Sequence, residues 1–208
     1  MAAADILISE HEKEQRVLRR ILRRFLWFLF ILLVINFLDR SNIGFAALTM
    51  NRDLELSASM FGIAVSMFSV GYMLFEIPSN LILARVGARA WLSRIVVTWG
   101  LLACGCALAA GATSLITLRM LLGIAEVGFL PGLLLYMTYW FPQYYRARAQ
   151  VAFPIAQPTA NIIGPLSAGA IMAMDGTLGI AGWRWLFLLQ GLPAVMIKKP
   201  ALRRAQNE

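Results

Sequence analysis

The chain has 208 residues, 60% hydrophobic and 14% charged, with a mean hydropathy of +0.70. That apolar share exceeds the roughly 45–50% of an average soluble domain and argues against one. The formal net charge of +8 would raise nucleic acid as a partner in a soluble protein, but membrane topology accounts for the basic residues better, so no nucleic acid is expected.

In chain order, residues 1–24 form a basic N-terminal tail, too polar for a cleavable signal peptide, with His11 as a solvated residue. Six apolar segments follow, at roughly 25–50, 59–83, 91–112, 115–139, 149–174 and 177–197, and residues 198–208 form a polar C-terminal tail. A bilayer offers the backbone no water, so runs this long are predicted to be helices. The predicted fold class is all-α: a polytopic membrane protein with six transmembrane helices over residues 25–197.

Asp39 and Arg40 lie near the middle of the first segment. A charge in a spanning helix costs roughly 2.5–3.5 kcal/mol on insertion scales, and such residues usually mark an ion or substrate path. Adjacent helical residues point about 100° apart, so one can face a cavity while the other meets a different helix. Asp39 has the ingredients of a proton site that responds to an anion on Arg40; the other reading is local neutralisation that eases insertion. In the second segment Tyr72 and Glu76 share a face. Tyr72 could donate to a ligand or simply pack, and Glu76 sits nearer a gate or helix pair. Cys104 and Cys106 of the third segment have neither disulfide nor zinc spacing and read as small packing residues.

The fourth segment carries Arg119 and Glu126, seven apart. Seven residues return to within roughly 20° of the starting direction, so the pair shares a face, with Gly123 beside it leaving room for a helix or ligand. Arginine offers a forked donor suited to a carboxylate and glutamate can carry a proton; the alternative is a pair that only fixes packing. Pro154, Pro158, Asn161 and Pro165 mark the fifth segment as either cavity-lining or merely packed. The sixth is short: Trp183–Ile197 would rise only about 22 Å, against a hydrocarbon core of about 30 Å, before Lys198-Lys199-Pro200 cuts the run off.

Fifteen of the 19 Lys and Arg fall in the two tails and the second and fourth connections, against Arg52 alone on the other side. The remaining three, Arg40, Arg119 and Arg184, lie within or at the edge of segments. By the positive-inside rule both termini are cytoplasmic in a multi-pass protein in contact with lipid. An enzyme is not expected, since the single histidine lies outside the segments and no metal-ligand cluster or glycine-flanked serine appears. No cofactor or metal is expected either.

Several motifs carry a resemblance: Leu38-Asp39-Arg40-Ser41-Asn42-Ile43, Phe75-Glu76-Ile77-Pro78-Ser79-Asn80-Leu81, Arg119-Met120-Leu121-Leu122-Gly123, Glu126-Val127-Gly128-Phe129-Leu130-Pro131-Gly132 and Gly182-Trp183-Arg184-Trp185. With Tyr139-Trp140-Phe141-Pro142 and Tyr145-Arg146-Ala147-Arg148, they make residues 30–196 similar to the N-terminal half of a major facilitator superfamily transporter of the anion:cation symporter family. The resemblance implies the inner membrane and alternating-access symport of an organic anion, such as a sugar acid or dicarboxylate, with protons. It implies Arg40, Arg119 and Tyr72 as substrate contacts, Asp39 and Glu126 as proton-coupling groups, and Arg85, Gly87, Arg89 and Arg146 as gating residues. Asn80 and Ala84 stand where the superfamily usually has glycine and aspartate, so the gate is expected to be held differently. The family's second six-helix half would come from a partner chain or a second copy. The alternative is a truncated or frameshifted remnant that does not transport, or a regulator pairing with full-length relatives.

Overall fold

The computed structural model describes residues 2–140, 150 and 152–204, with side chains over 26–139, 150 and 153–196. All regular structure among these residues is helical. Helix α1 runs Ala2–Asp53, α2 Ala58–Val86, α3 Ala88–Cys106, α4 Ala112–Glu126, α5 Phe129–Trp140, α6 Ala152–Met172 and α7 Gly182–Arg204, with a short 3-10 turn at Thr177–Gly179 before α7. Together they form a six-span bundle in which α4 and α5 share the fourth span. Three stretches, Leu26–Asp53, Ala58–Val86 and Ala112–Tyr139, are each long and apolar enough to cross a membrane. Large apolar side chains such as Met73 and Ile77 are more than 70% exposed, which suits lipid and not water.

The elements depart from the predicted segments at four places. The basic residues before position 25 continue the helix of the first span, because α1 is unbroken from Ala2. The third segment stops being helical at Cys106, and Ala107–Gly111 turn the chain. The fourth is two helices: Val127 leaves helical geometry and Gly128 takes φ +83°, a left-handed value that glycine adopts without a Cβ penalty. The sixth keeps helical geometry through Lys198-Lys199-Pro200 to Arg204, since a proline forgoes one helical N–H bond without obliging the chain to stop.

Small residues set how the helices cross. A Cβ on Gly123 would run into the carbonyl oxygen of Phe68, and one on Gly71 into that of Met120. Helices α2 and α4 therefore touch backbone to backbone, the room predicted beside Gly123 being taken by a helix. On α3, Gly100 admits Val195 of α7, and on α7, Gly191 admits Cys104. Gly164 of α6 lies against Phe45 and Leu38 of α1. Trp99, Phe129, Trp183 and Phe187 fill the core between these contacts.

At the end of the bundle that holds the α1–α2, α3–α4 and α6–α7 connections, the Gly-Trp-Arg-Trp motif works as a tie. Trp183 Nε1 donates to Asp53 Oδ2 at 3.0 Å, Arg184 Nη2 to the Ala109 carbonyl at 3.4 Å, and Trp185 Nε1 to the Thr177 carbonyl at 3.2 Å. At the other end, Gly87 (φ +88°) alone separates α2 from α3.

Gly123→Ala tests the crossing. The helix would gain about 1 kcal/mol in propensity, but the added methyl meets a backbone oxygen that cannot rotate away, an overpacking cost of about 1–3 kcal/mol. The variant is expected to unfold at lower denaturant in detergent than the parent. Equal or greater stability would mean that α2 and α4 do not approach this closely.

Candidate functional site

The intramembrane charges sit on α1 and α4 and meet inside the bundle. Asp39 and Arg40 diverge as their adjacency predicts. Asp39 is 1% exposed and accepts a hydrogen bond from Trp99 Nε1 of α3 at 2.8 Å. Arg40 turns to α4, where its Nε donates to Glu126 Oε2 at 2.8 Å. The same carboxylate oxygen accepts from Asn36 Nδ2 at 3.1 Å. Asn36 and Arg40 are one helical turn apart on α1, so a single face of that helix supplies both donors.

Glu126 is fully buried and is the last residue of α4. A negative charge at a helix C-terminus faces the unsatisfied carbonyls and the negative end of the dipole, so it needs a cation to offset it. Arg40 supplies that cation from another helix. Arg119, two turns earlier in α4, shares the predicted face but is not the partner recorded for Glu126. It is 2% exposed, and its Nε and Nη1 have no hydrogen-bond partner. Its guanidinium carbon lies 4.9 Å from the Phe68 ring centre.

Phe68 and Tyr72 of α2 stack 6.4 Å apart and form an aromatic shelf. The Arg40 guanidinium carbon stands 5.2 Å from the Phe68 ring centre and 5.1 Å from that of Tyr72. Both arginines thus lean on one shelf, an arrangement worth about 0.5–2 kcal/mol per contact. Arg119 is thus a desolvated cation with unused donors beside a partly exposed Arg40, and a planar guanidinium fork matches the geometry of a carboxylate. Asn42, three residues on in α1, is buried beside Asp39.

Other predicted residues lie elsewhere. Arg85 and Arg89 are exposed on either side of Gly87, and a pocket of about 490 Å³ at this junction is lined by Gly87, Arg89, Ser93, Tyr136 and Tyr139 among others. It contains none of Asp39, Arg40, Tyr72, Arg119 and Glu126. Arg146 lies outside the described residues. Glu76, Pro154, Pro158, Asn161 and Pro165 are exposed, and α6 is continuous across its prolines. Among the described residues no group of His, Cys, Asp and Glu is arranged to hold a metal ion.

Sequence reasoning missed Asn36, Phe68 and Trp99. Asn36 carried a signal, since a polar side chain in an apolar run four residues before Arg40 lies on its face. Phe68 and Trp99 carried none, because an aromatic in a spanning segment most often simply packs.

The family profile of the Major Facilitator Superfamily matches residues 29–197. A protein of Agrobacterium vitis named "Putative tartrate transporter" is 50% identical over 184 residues, covering 88% of this chain and 42% of the relative. A "Quinolone resistance transporter" of Acinetobacter baumannii is 43% identical over 90% of this chain and 43% of its own length. The "Inner membrane transport protein RhmT" of Escherichia coli is 38% identical over 83% of this chain and 40% of its own length. This chain therefore spans about two fifths of the length of these relatives. A bacterial homolog of the human lysosomal transporter Spinster, solved in an inward-facing and occupied conformation, superposes with a TM-score of 0.79 at 23% identity, over 85% of this chain and 43% of that one.

Proposed function

Because the chain belongs to the major facilitator superfamily, and corresponds to its N-terminal six-helix half, we propose that it supplies the binding half of a membrane transporter for a small organic dianion. The substrate class is a hydroxydicarboxylate such as tartrate, carried together with protons in the manner of an anion:cation symporter. It is a transporter subunit or domain and not an enzyme. The observation that carries the reading is Arg119: a buried guanidinium with two unused donor nitrogens beside a second arginine on a shared aromatic shelf.

In this reading Arg119 grips one carboxylate through its fork, and Tyr72 lines the site. Arg40 is held by Glu126 until the substrate arrives. Protonation of Glu126 removes the competing charge and frees Arg40 for the anion, so that proton and substrate enter the site together. Asp39, held by Trp99, is the second proton-carrying group. Alternating access then requires a second bundle to rock against this one, with Arg85, Gly87, Arg89 and Arg146 serving the cytoplasmic gate. Both termini lie in the cytoplasm and the bundle in the inner membrane, as the distribution of basic residues supports.

The test is equilibrium dialysis of labelled tartrate against the full chain in lipid nanodiscs. Threitol, the same carbon skeleton without charges, is the competitor. Saturable binding that threitol does not displace is expected. No saturable binding, or displacement by threitol as effective as by unlabelled tartrate, would remove the anion site.

A further inference from the structure

Glu126 is the last residue before the α4–α5 break, and the break is held from two other helices. Val127 has left helical geometry (φ −59°, ψ 136°). Its carbonyl oxygen accepts a hydrogen bond from Ser79 Oγ of α2 at 3.0 Å. Ser79 Oγ in turn accepts from Trp91 Nε1 of α3 at 3.1 Å. Ser79 is 3% exposed, and no other donor to the Val127 carbonyl is recorded among the described residues.

Gly128 completes the arrangement. A Cβ at this position would overlap Ser79 Oγ and come within 3.3 Å of Trp91 Nε1. The left-handed turn and the Ser79–Trp91 pair therefore occupy neighbouring space, with no room for a side chain between them. Trp91 also packs against Arg94, whose guanidinium carbon lies 4.0 Å from its ring centre. Ser79 follows Pro78 inside α2, eight residues before the Gly87 junction, and Trp91 stands four residues after that junction.

We infer that Trp91 and Ser79 are positioning residues, a strut that fixes the α4–α5 break through the Val127 carbonyl and thereby sets the Glu126 carboxylate against Arg40 and Asn36. An orphaned carbonyl at a helix end can point several ways when solvated. Here it is bonded from α2, so the residue just before it has one backbone direction. The strut also joins the carboxylate to the α2–α3 junction: a displacement of α3 about Gly87 moves Trp91, and Trp91 bears on the break one residue from Glu126. This rests on the proposed function for the role of Glu126, while the strut itself is a claim about backbone order.

Two measurements on the full chain in nanodiscs separate these. The first is hydrogen exchange of the amides between Val127 and Leu133. Ser79→Ala and Trp91→Phe, the latter keeping an aromatic ring beside Arg94, are each expected to speed exchange there roughly tenfold, with α6 unchanged. The second is tartrate affinity in a double-mutant cycle with Glu126→Gln. Because a displaced carboxylate competes less for Arg40, Ser79→Ala is expected to tighten binding roughly three- to tenfold in the parent and to change it less than about twofold in the Glu126→Gln background. Unchanged exchange in both variants overturns the strut. A loss of affinity in the parent, or an equal change in both backgrounds, also overturns it, because Ser79 would then act by packing and not through Glu126. If the parent binds no tartrate, the anion reading fails and the exchange measurement alone decides the strut.

Discussion

Arg119→Ala is expected to abolish tartrate binding by the chain, as read by equilibrium dialysis. Truncating one partner of a buried, hydrogen-bonded charge pair costs about 2–5 kcal/mol. At about 1.4 kcal/mol per decade, that is roughly 30- to 4,000-fold in affinity. Loss of binding through misfolding is separable on physical grounds. Arg119 is a buried cation with two donor nitrogens that no group of the described residues meets, a configuration that opposes folding. Its removal should leave the bundle as stable as the parent or more so. Arg119→Lys, which keeps the charge but not the planar fork, should fall between parent and alanine variant. Affinity within twofold of the parent in Arg119→Ala would show that the anion is held elsewhere.

The second large effect concerns Glu126. An ionised carboxylate here holds Arg40 and Asn36 on one oxygen and competes with an incoming anion for Arg40. A neutral one does not. Proton and anion binding should therefore reinforce each other, with affinity rising as pH falls through the titration of Glu126. Glutamine cannot ionise, so Glu126→Gln should bind tartrate in the tight form throughout and lose the pH slope. Coupling of this kind is typically about 1–3 kcal/mol, or roughly 5- to 150-fold between the two limits. The measurement is the tartrate Kd between pH about 6 and about 8, where the ligand stays doubly ionised. Asp39 and Arg40 of α1, Tyr72 of α2, Cys104 and Cys106 of α3 and Arg119 of α4 are the other titratable or charged groups around the site. A parental pH slope retained in Glu126→Gln and lost in Asp39→Asn would transfer the proton-coupling role to Asp39.

Much of this was legible in the chain before any coordinates. Lipid gives the backbone no alternative hydrogen-bond partners, so long apolar runs had to be helices. The cost of inserting a charge made Asp39, Arg40, Arg119 and Glu126 conspicuous, and helical spacing correctly separated the directions of the first two. Those are consequences of solvent and local geometry, and they need no knowledge of what stands opposite.

Pairing does need it, and there the tertiary structure decided. Arg119 and Glu126 share a helix face, yet Glu126 bonds to Arg40, 86 residues away in sequence. That choice follows from the packing that sets the Arg40 face of α1 against the end of α4, where the break at Val127-Gly128 ends the helix on Glu126. The aromatic shelf under both arginines, the Trp99 donor to Asp39 and the Ser79 bond to the Val127 carbonyl likewise join residues on different helices. Periodicity reports which side of a helix a residue occupies. Which neighbour meets that side depends on where backbones can touch, and that is a property of the packed bundle.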